Sequence, residues 1–242
     1  PMSVIAGSLA VAALAQFSID RAQANEDAAR ETLSQATESM MLLVIPAAVG
    51  LYVLAHPLVA LCFERGAFTP SDTIATAAIL RGYAFAVVGI CAYRLFLPIF
   101  FALGDPYLPM KLSLVVMAVK IPVALGLMHR FGLMGLPLSH AVTVSMETLV
   151  MVWVLHHRLH GWKTGILGQL GRIAIASLLM AAGVIAIDGL LPAFGSLRVI
   201  VLSGLGACLF GVFAYALQIR AIFPLLTRVR RRIAPASPPR VE

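Results

Sequence analysis

Four ionisable residues interrupt long apolar runs in this chain: Arg94, Lys120, Glu147 and Asp188. Such groups are expensive in hydrocarbon, and in membrane spans they usually face a bundle interior or a water-filled cavity along a transport path. Asp188 falls near the end of its run and reads as interfacial. Arg94 lies four residues before Pro98, which is placed to kink that run, and snorkelling to the surface competes with an interior role. Lys120 and Glu147 are near the middle of theirs. Lys120 is ten residues from Arg130, and Glu147 is twelve from Gly135 on the next run. At about 1.5 Å per residue these positions are roughly 15 and 18 Å deep, so the spacing predicts a Lys120–Glu147 ion pair. The alternative is that each charge contacts cavity water separately. His140, seven residues before Glu147, shares its helical face and is a titrating neighbour.

Other chemistry is sparse. Cys62, Cys91 and Cys208 are scattered, form no metal or redox spacing, and read as buried free thiols. In HHRLH, His156 and His160 stand at i,i+4, a spacing that suits a metal, but no third ligand is near in sequence and a basic loop is the simpler reading. No nucleophile elbow, phosphate loop or paired carboxylates occur, so neither an enzyme, a metal site nor a cofactor is expected.

The elements that must position these residues follow from composition. The chain has 242 residues, 60% hydrophobic and 12% charged, with a mean hydropathy of +0.94. Runs of about 20 apolar residues suit helices crossing a ~30 Å hydrocarbon layer, and their lack of alternation excludes barrel strands. Seven spans are predicted, over 1–17, 40–61, 74–103, 110–128, 134–155, 166–191 and 197–218. The fold class is therefore an all-α membrane bundle. Residues 18–39 read as a short cytoplasmic helix joining the first two spans, with Asn25 as N-cap and Glu26–Arg30 as an i,i+4 pair. Between the second and third spans, ALCFERGAFTPSD reads as a turn, with Gly66 at the bend and Pro70, Ser71 and Asp72 as a helix start. The last 22 residues, 221–242, form a basic, Pro-rich tail.

Lys and Arg placement gives orientation. Twelve basic residues fall on one side of the predicted bundle, against Arg65, Arg81, Arg130 and Arg198 on the other. This puts the N-terminus outside and the RVRRR segment in the cytoplasm. The net charge of +7 belongs to that asymmetry and to anionic lipid headgroups, not to nucleic acid. A start at Pro1, with no basic leader before a barely sufficient first span, points to the C-terminal part of a longer membrane protein.

Several segments carry a family likeness. FERGAFTPSDT, with Phe63, Glu64, Arg65, Gly66 and Phe68, resembles the "FERGAF…DT" segment of the MurJ/MviN family of lipid II flippases. Pro46-Ala-Ala-Val-Gly is similar to its "PAAVGL". Phe100-Phe-Ala-Leu-Gly104-Asp105, with Pro109 four residues on, is similar to its "FYALGDTRTP", and Gly132-Leu-Met-Gly-Leu to its "GLVGLA". The first span, with Pro1, Gly7 and the end Gln16-Phe17-Ser18, is similar to its "lPglS" ending. The motifs keep their order and spacing as far as Leu155.

The resemblance implies the eighth to fourteenth spans of a fourteen-span bacterial inner-membrane flippase. It implies that residues 1–157 are a transport bundle and that 158–220 are two extra spans forming a groove for the lipid tail. It also implies alternating access around a cationic cavity, with lipid II, membrane lipids and the absent N-terminal half as partners. In the family, an Asn and a second polar residue that serve sodium in some members match Lys120 and Ala124. A helping Thr matches His140, and a further Asn matches Glu147, which speaks against sodium here. Arg94 keeps the charge of a family Lys. The alternatives are a related exporter of another polyprenyl-linked saccharide or a drug, and a non-transporting scaffold. Buried charges argue against the scaffold.

Overall fold

In a computed structural model, residues 2–159, 161, 165–189 and 196–219 are described, and every regular element among them is helical. The helices are α1 (Met2–Ala22), α2 (Glu26–Val53), α3 (Ala55–Phe63), α4 (Pro70–Ala102), α5 (Tyr107–Phe131), α6 (Gly135–Arg158), α7 (Ile166–Asp188) and α8 (Ser196–Ala216). Five helical stretches are long and apolar enough to cross a membrane: α2, α4, the α5–α6 pair counted as one, α7, and the part of α8 from Arg198. The 21 residues of α1 also reach about 30 Å at the helical rise.

The packing order is a chain of neighbours. α6 lies between α4 and α5, which barely touch each other. α4 packs on α1 and α2, α2 packs on α7, and α7 packs on α8. The main core joins Phe17, Leu33, Met40, Leu95, Phe100 and Met151 from α1, α2, α4 and α6.

Three expectations need correction. Residues 18–39 are not a separate connecting helix. They are the end of α1 and the start of α2, joined by a turn at Gln23–Asn25. Asn25 does cap α2, accepting from the Ala28 N–H at 3.0 Å, and Arg30 pairs with Glu26 at 3.6 Å. The two helices continue because Asp20, buried on α1, ties them together. It accepts from the Thr32 hydroxyl at 2.6 Å and the Gln16 amide at 2.8 Å. The span over 40–61 is broken at Leu54, and α3 starts afresh at Ala55. Pro57 has no N–H to donate to Val53, so an unbroken helix through this point would lose a bond. Of the cysteines only Cys91 is buried; Cys62 and Cys208 are exposed.

α4 and α6 run parallel and approach closely through small residues, as membrane helices commonly do. A Cβ on Gly82 would lie 2.8 Å from Pro137 Cγ, and one on Gly89 3.0 Å from Val144 Cγ1. Both contacts advance by seven residues on each helix. The Thr148 hydroxyl donates to the Gly89 carbonyl at 3.1 Å and fixes this register.

Candidate transport site

Two loops hold the helix ends. After α3, Gly66 has φ +62°, a left-handed conformation that glycine takes without strain. α4 starts at Pro70, as the sequence reading placed it, and opens on a capping box. Thr69 is the N-cap, its side chain accepts from the Asp72 N–H, and the Asp72 carboxylate accepts from the Thr69 N–H at 2.9 Å. The hydrogen bonds from Thr69 hold the Asp72 carboxyl below its ordinary value. Glu64 accepts from the Thr73 hydroxyl at 2.9 Å, and Arg65 donates to the Leu61 carbonyl at 3.2 Å. Phe63 lies 6.1 Å from Phe68, ring to ring, and Phe68 packs on Ala55, Val59 and Ala77. The loop that opens the family likeness is thus a structural clasp of α3 onto α4.

At the other end, Gly104 takes φ +73° and Asp105 accepts from the Leu108 N–H at 3.2 Å. Asp105 also pairs with Arg158 from the end of α6, at 2.5 Å, and Pro109 is buried behind the loop. His156 and His157 meet edge to face near this end, while His160 lies outside the described residues, as do residues 221–242.

The intramembrane residues fall into two levels. Glu147, 8% exposed, accepts from the Ser113 hydroxyl of α5 at 2.5 Å. Ser113 also meets the Tyr93 hydroxyl of α4 at 3.5 Å. Lys120 is exposed and lies close enough to His140 for their charges to interact. Among the described residues no ion pair joins Lys120 to Glu147, so the predicted pair does not form. The reason is register. The depth estimate took Arg130 and Gly135 as level, but the chain turns through a short 3₁₀ segment, Gly132–Met134, and doubles back. Gly135 rests on the backbone of Leu127 and Met128, where a Cβ would come within 2.4 Å. This shift sets Glu147 opposite Ser113 and Lys120 opposite His140, two helical turns apart. Arg94 is exposed on α4, and Pro98, without an N–H, leaves the Arg94 carbonyl without its usual helical donor. Asp188 pairs with Arg198 at 2.8 Å, joining the end of α7 to the start of α8.

Ser113 and Tyr93 went unremarked in the sequence. Ser113 carried a usable signal, since it is the polar residue one heptad before Lys120 on the same face of α5. Tyr93 carried none, because a single phenol in an apolar run is ordinary.

Between α2, α7 and α8 lies an apolar cavity of about 700 Å³, walled by Leu42, Pro46, Met180, Val184, Leu202 and Phe210 among others. Gly50 and Gly206 line it too, and their missing side chains keep it open.

Comparison with known proteins places this arrangement. A family profile described as "Lipid II flippase MurJ" matches residues 1–203, which carries the likeness past Leu155 and into α8. A probable lipid II flippase MurJ of Bdellovibrio bacteriovorus is 32% identical over 185 residues, 76% of this chain and 35% of that protein. One of Rhizobium meliloti is 29% identical over 246 residues, 98% of this chain and 46% of that protein. A solved structure titled "Lipid II flippase MurJ, inward closed conformation" superposes with a TM-score of 0.75 at 20% identity, over 88% of this chain and 43% of its own. This chain therefore spans less than half the length of these relatives, and its fold is that of part of the solved flippase. By the extent of the profile match and by the Bdellovibrio relative, this membrane-spanning helical chain belongs to the lipid II flippase MurJ family.

Proposed function

We propose that this chain is the C-terminal part of a flippase that moves the undecaprenyl-linked peptidoglycan precursor lipid II across the bacterial inner membrane by alternating access. The observation that carries the reading is the apolar cavity between α2, α7 and α8, in a chain of this family. A polyprenyl tail has no polar group to satisfy, so hydrocarbon walls hold it by buried area alone. The anionic head of such a lipid needs cations, and Arg94 and Lys120, both exposed on this chain, are the intramembrane groups that would meet it. Residues 1–157 form the transport bundle in this reading, and α7 and α8 the added tail-binding pair. No catalytic residue is required.

Alternating access needs a second bundle moving against this one. Residues 1–242 alone are therefore expected not to transport. The test is rescue of cells depleted of their own flippase. The full-length protein containing this chain rescues and residues 1–242 alone do not; rescue by residues 1–242 alone would contradict the reading. The cavity would equally accept the tail of another polyprenyl-linked saccharide, and failure of the full-length protein to rescue would favour that exporter.

A further inference from the structure

We propose that Glu147 is a proton-binding site, set at the junction of α4, α5 and α6, whose charge state sets the direction of the hydrogen bonds that run through Ser113 to Tyr93. Glu147 is buried in the middle of α6, where an unpaired carboxylate is costly. Among the described residues its hydrogen-bond partner is a neutral hydroxyl, that of Ser113, at 2.5 Å. The charged and titratable groups around it do not neutralise it. From α4 come Tyr93, reached only through Ser113 at 3.5 Å, the exposed Arg94 and the buried thiol of Cys91. From α5 come Lys120, two turns away beside His140, and the exposed Lys111. From α6 itself comes His140, also two turns away. Among the described residues no cation lies within ion-pair distance of the carboxylate.

The chemistry is a simple protonation. A proton from hydronium forms an O–H bond on one carboxyl oxygen, leaving water and a neutral carboxylic acid. The charged form only accepts hydrogen bonds, so it holds the Ser113 hydroxyl toward α6. The neutral form can donate to Ser113 Oγ instead, which frees the Ser113 hydrogen to turn toward the Tyr93 oxygen on α4. α5 makes this consequential. It rests mainly on α6, scarcely touches α4, and has Pro109 as its one buried residue among those described. The Ser113–Tyr93 contact is one of the few links between α4 and α5, so protonation reverses the donor direction of the relay that joins α4, α5 and α6 through Ser113. The inference depends on no particular cargo.

The test is infrared difference spectroscopy of the purified full-length protein between alkaline and acid buffer, which reads a protonated carboxyl directly and does not measure transport. We expect a protonated-carboxyl band that is lost in Glu147→Gln. It is retained but shifted in frequency in Ser113→Ala, because its hydrogen-bond partner is gone. The Ser113→Ala arm stands even if Glu147→Gln fails to fold. A spectrum unchanged by Glu147→Gln, or a band indifferent to Ser113→Ala, would overturn the proposal. Loss of the band on adding sodium at fixed pH and ionic strength would also overturn it, assigning the same oxygens to a metal cation.

Discussion

Arg158, at the end of α6, donates to the carboxylate of Asp105 in the loop between α4 and α5, 53 residues away in sequence and 2.5 Å away in space. This bond ties the end of the central helix to the turn that aims α5. It also holds the Asp105 carboxyl below its ordinary value, against the effect of burial and with help from backbone N–H groups. A carboxylate with a depressed folded-state pKa contributes stability above its unfolded value, near 3.9, and loses it as pH falls through the folded one. Arg158→Gln should therefore lower the Tm of the full-length protein at pH 7. The gap from the native protein should begin to narrow as the pH falls below about 4. Thermal unfolding from pH 7 to 3 checks this, and a gap as wide at pH 3 as at pH 7 would show that Asp105 is not the partner that matters.

The two levels of intramembrane charge give a second expectation. Lys120 and Glu147 contact different residues, so Lys120→Leu and Glu147→Gln should be additive in a double-mutant cycle, within about 0.5 kcal/mol. Ser113→Ala and Glu147→Leu should couple by about 1.5–3 kcal/mol, the scale of a hydrogen bond to a charged group. Unfolding free energies in detergent or bicelles decide it.

Glycine contacts rank a third set of variants. Gly135→Ala drives a methyl into backbone at 2.4 Å and should cost about 2–3 kcal/mol, at the upper end of overpacking. Gly89→Ala, whose nearest atoms are side-chain atoms of Val144 at 3.0 Å and Ser145 at 3.2 Å rather than backbone, should cost less. Gly126→Ala meets nothing within 4 Å and should be neutral or stabilising, since alanine is the better helix former. The order of their unfolding midpoints is the check.

The sequence made the helices legible because apolar run length and turn residues are local properties. Asn25, Gly66 and Pro70 marked their turns or helix starts without tertiary information. Relations between helices were less accessible. The Lys120–Glu147 pairing failed because depth was counted from Arg130 and Gly135, and only the packing of Gly135 onto Leu127 and Met128 reveals the offset. The break at Leu54 was signalled by Pro57, but α2 continues unbroken through Pro46, so proline alone does not separate a kink from a stop. Nothing local announced that Asp105 and Arg158 meet.

Orientation can be read with an impermeant thiol reagent on intact spheroplasts of a strain making the full-length, cysteine-free protein. Asp27, whose side chain is 94% exposed, and Ser71, also exposed, suit this; Ser34 is buried and does not. Ser71→Cys should label from outside and Asp27→Cys only after lysis, as the basic asymmetry requires. The reverse pattern would invert the topology.

The most direct measurement of the central claim is lipid II accessibility at the outer face. Cells depleted of their own flippase carry the full-length protein, and an externally added lipid II-cleaving enzyme reports how much precursor has crossed. The account predicts cleavage with the native protein and a loss of about tenfold or more with Ala207→Trp. That substitution fills the cavity between α2, α7 and α8 from an exposed position on α8 and so leaves the packed core in place. Full cleavage with Ala207→Trp at equal protein level would contradict a tail-binding role for the cavity. No cleavage with the native protein would contradict lipid II flipping itself.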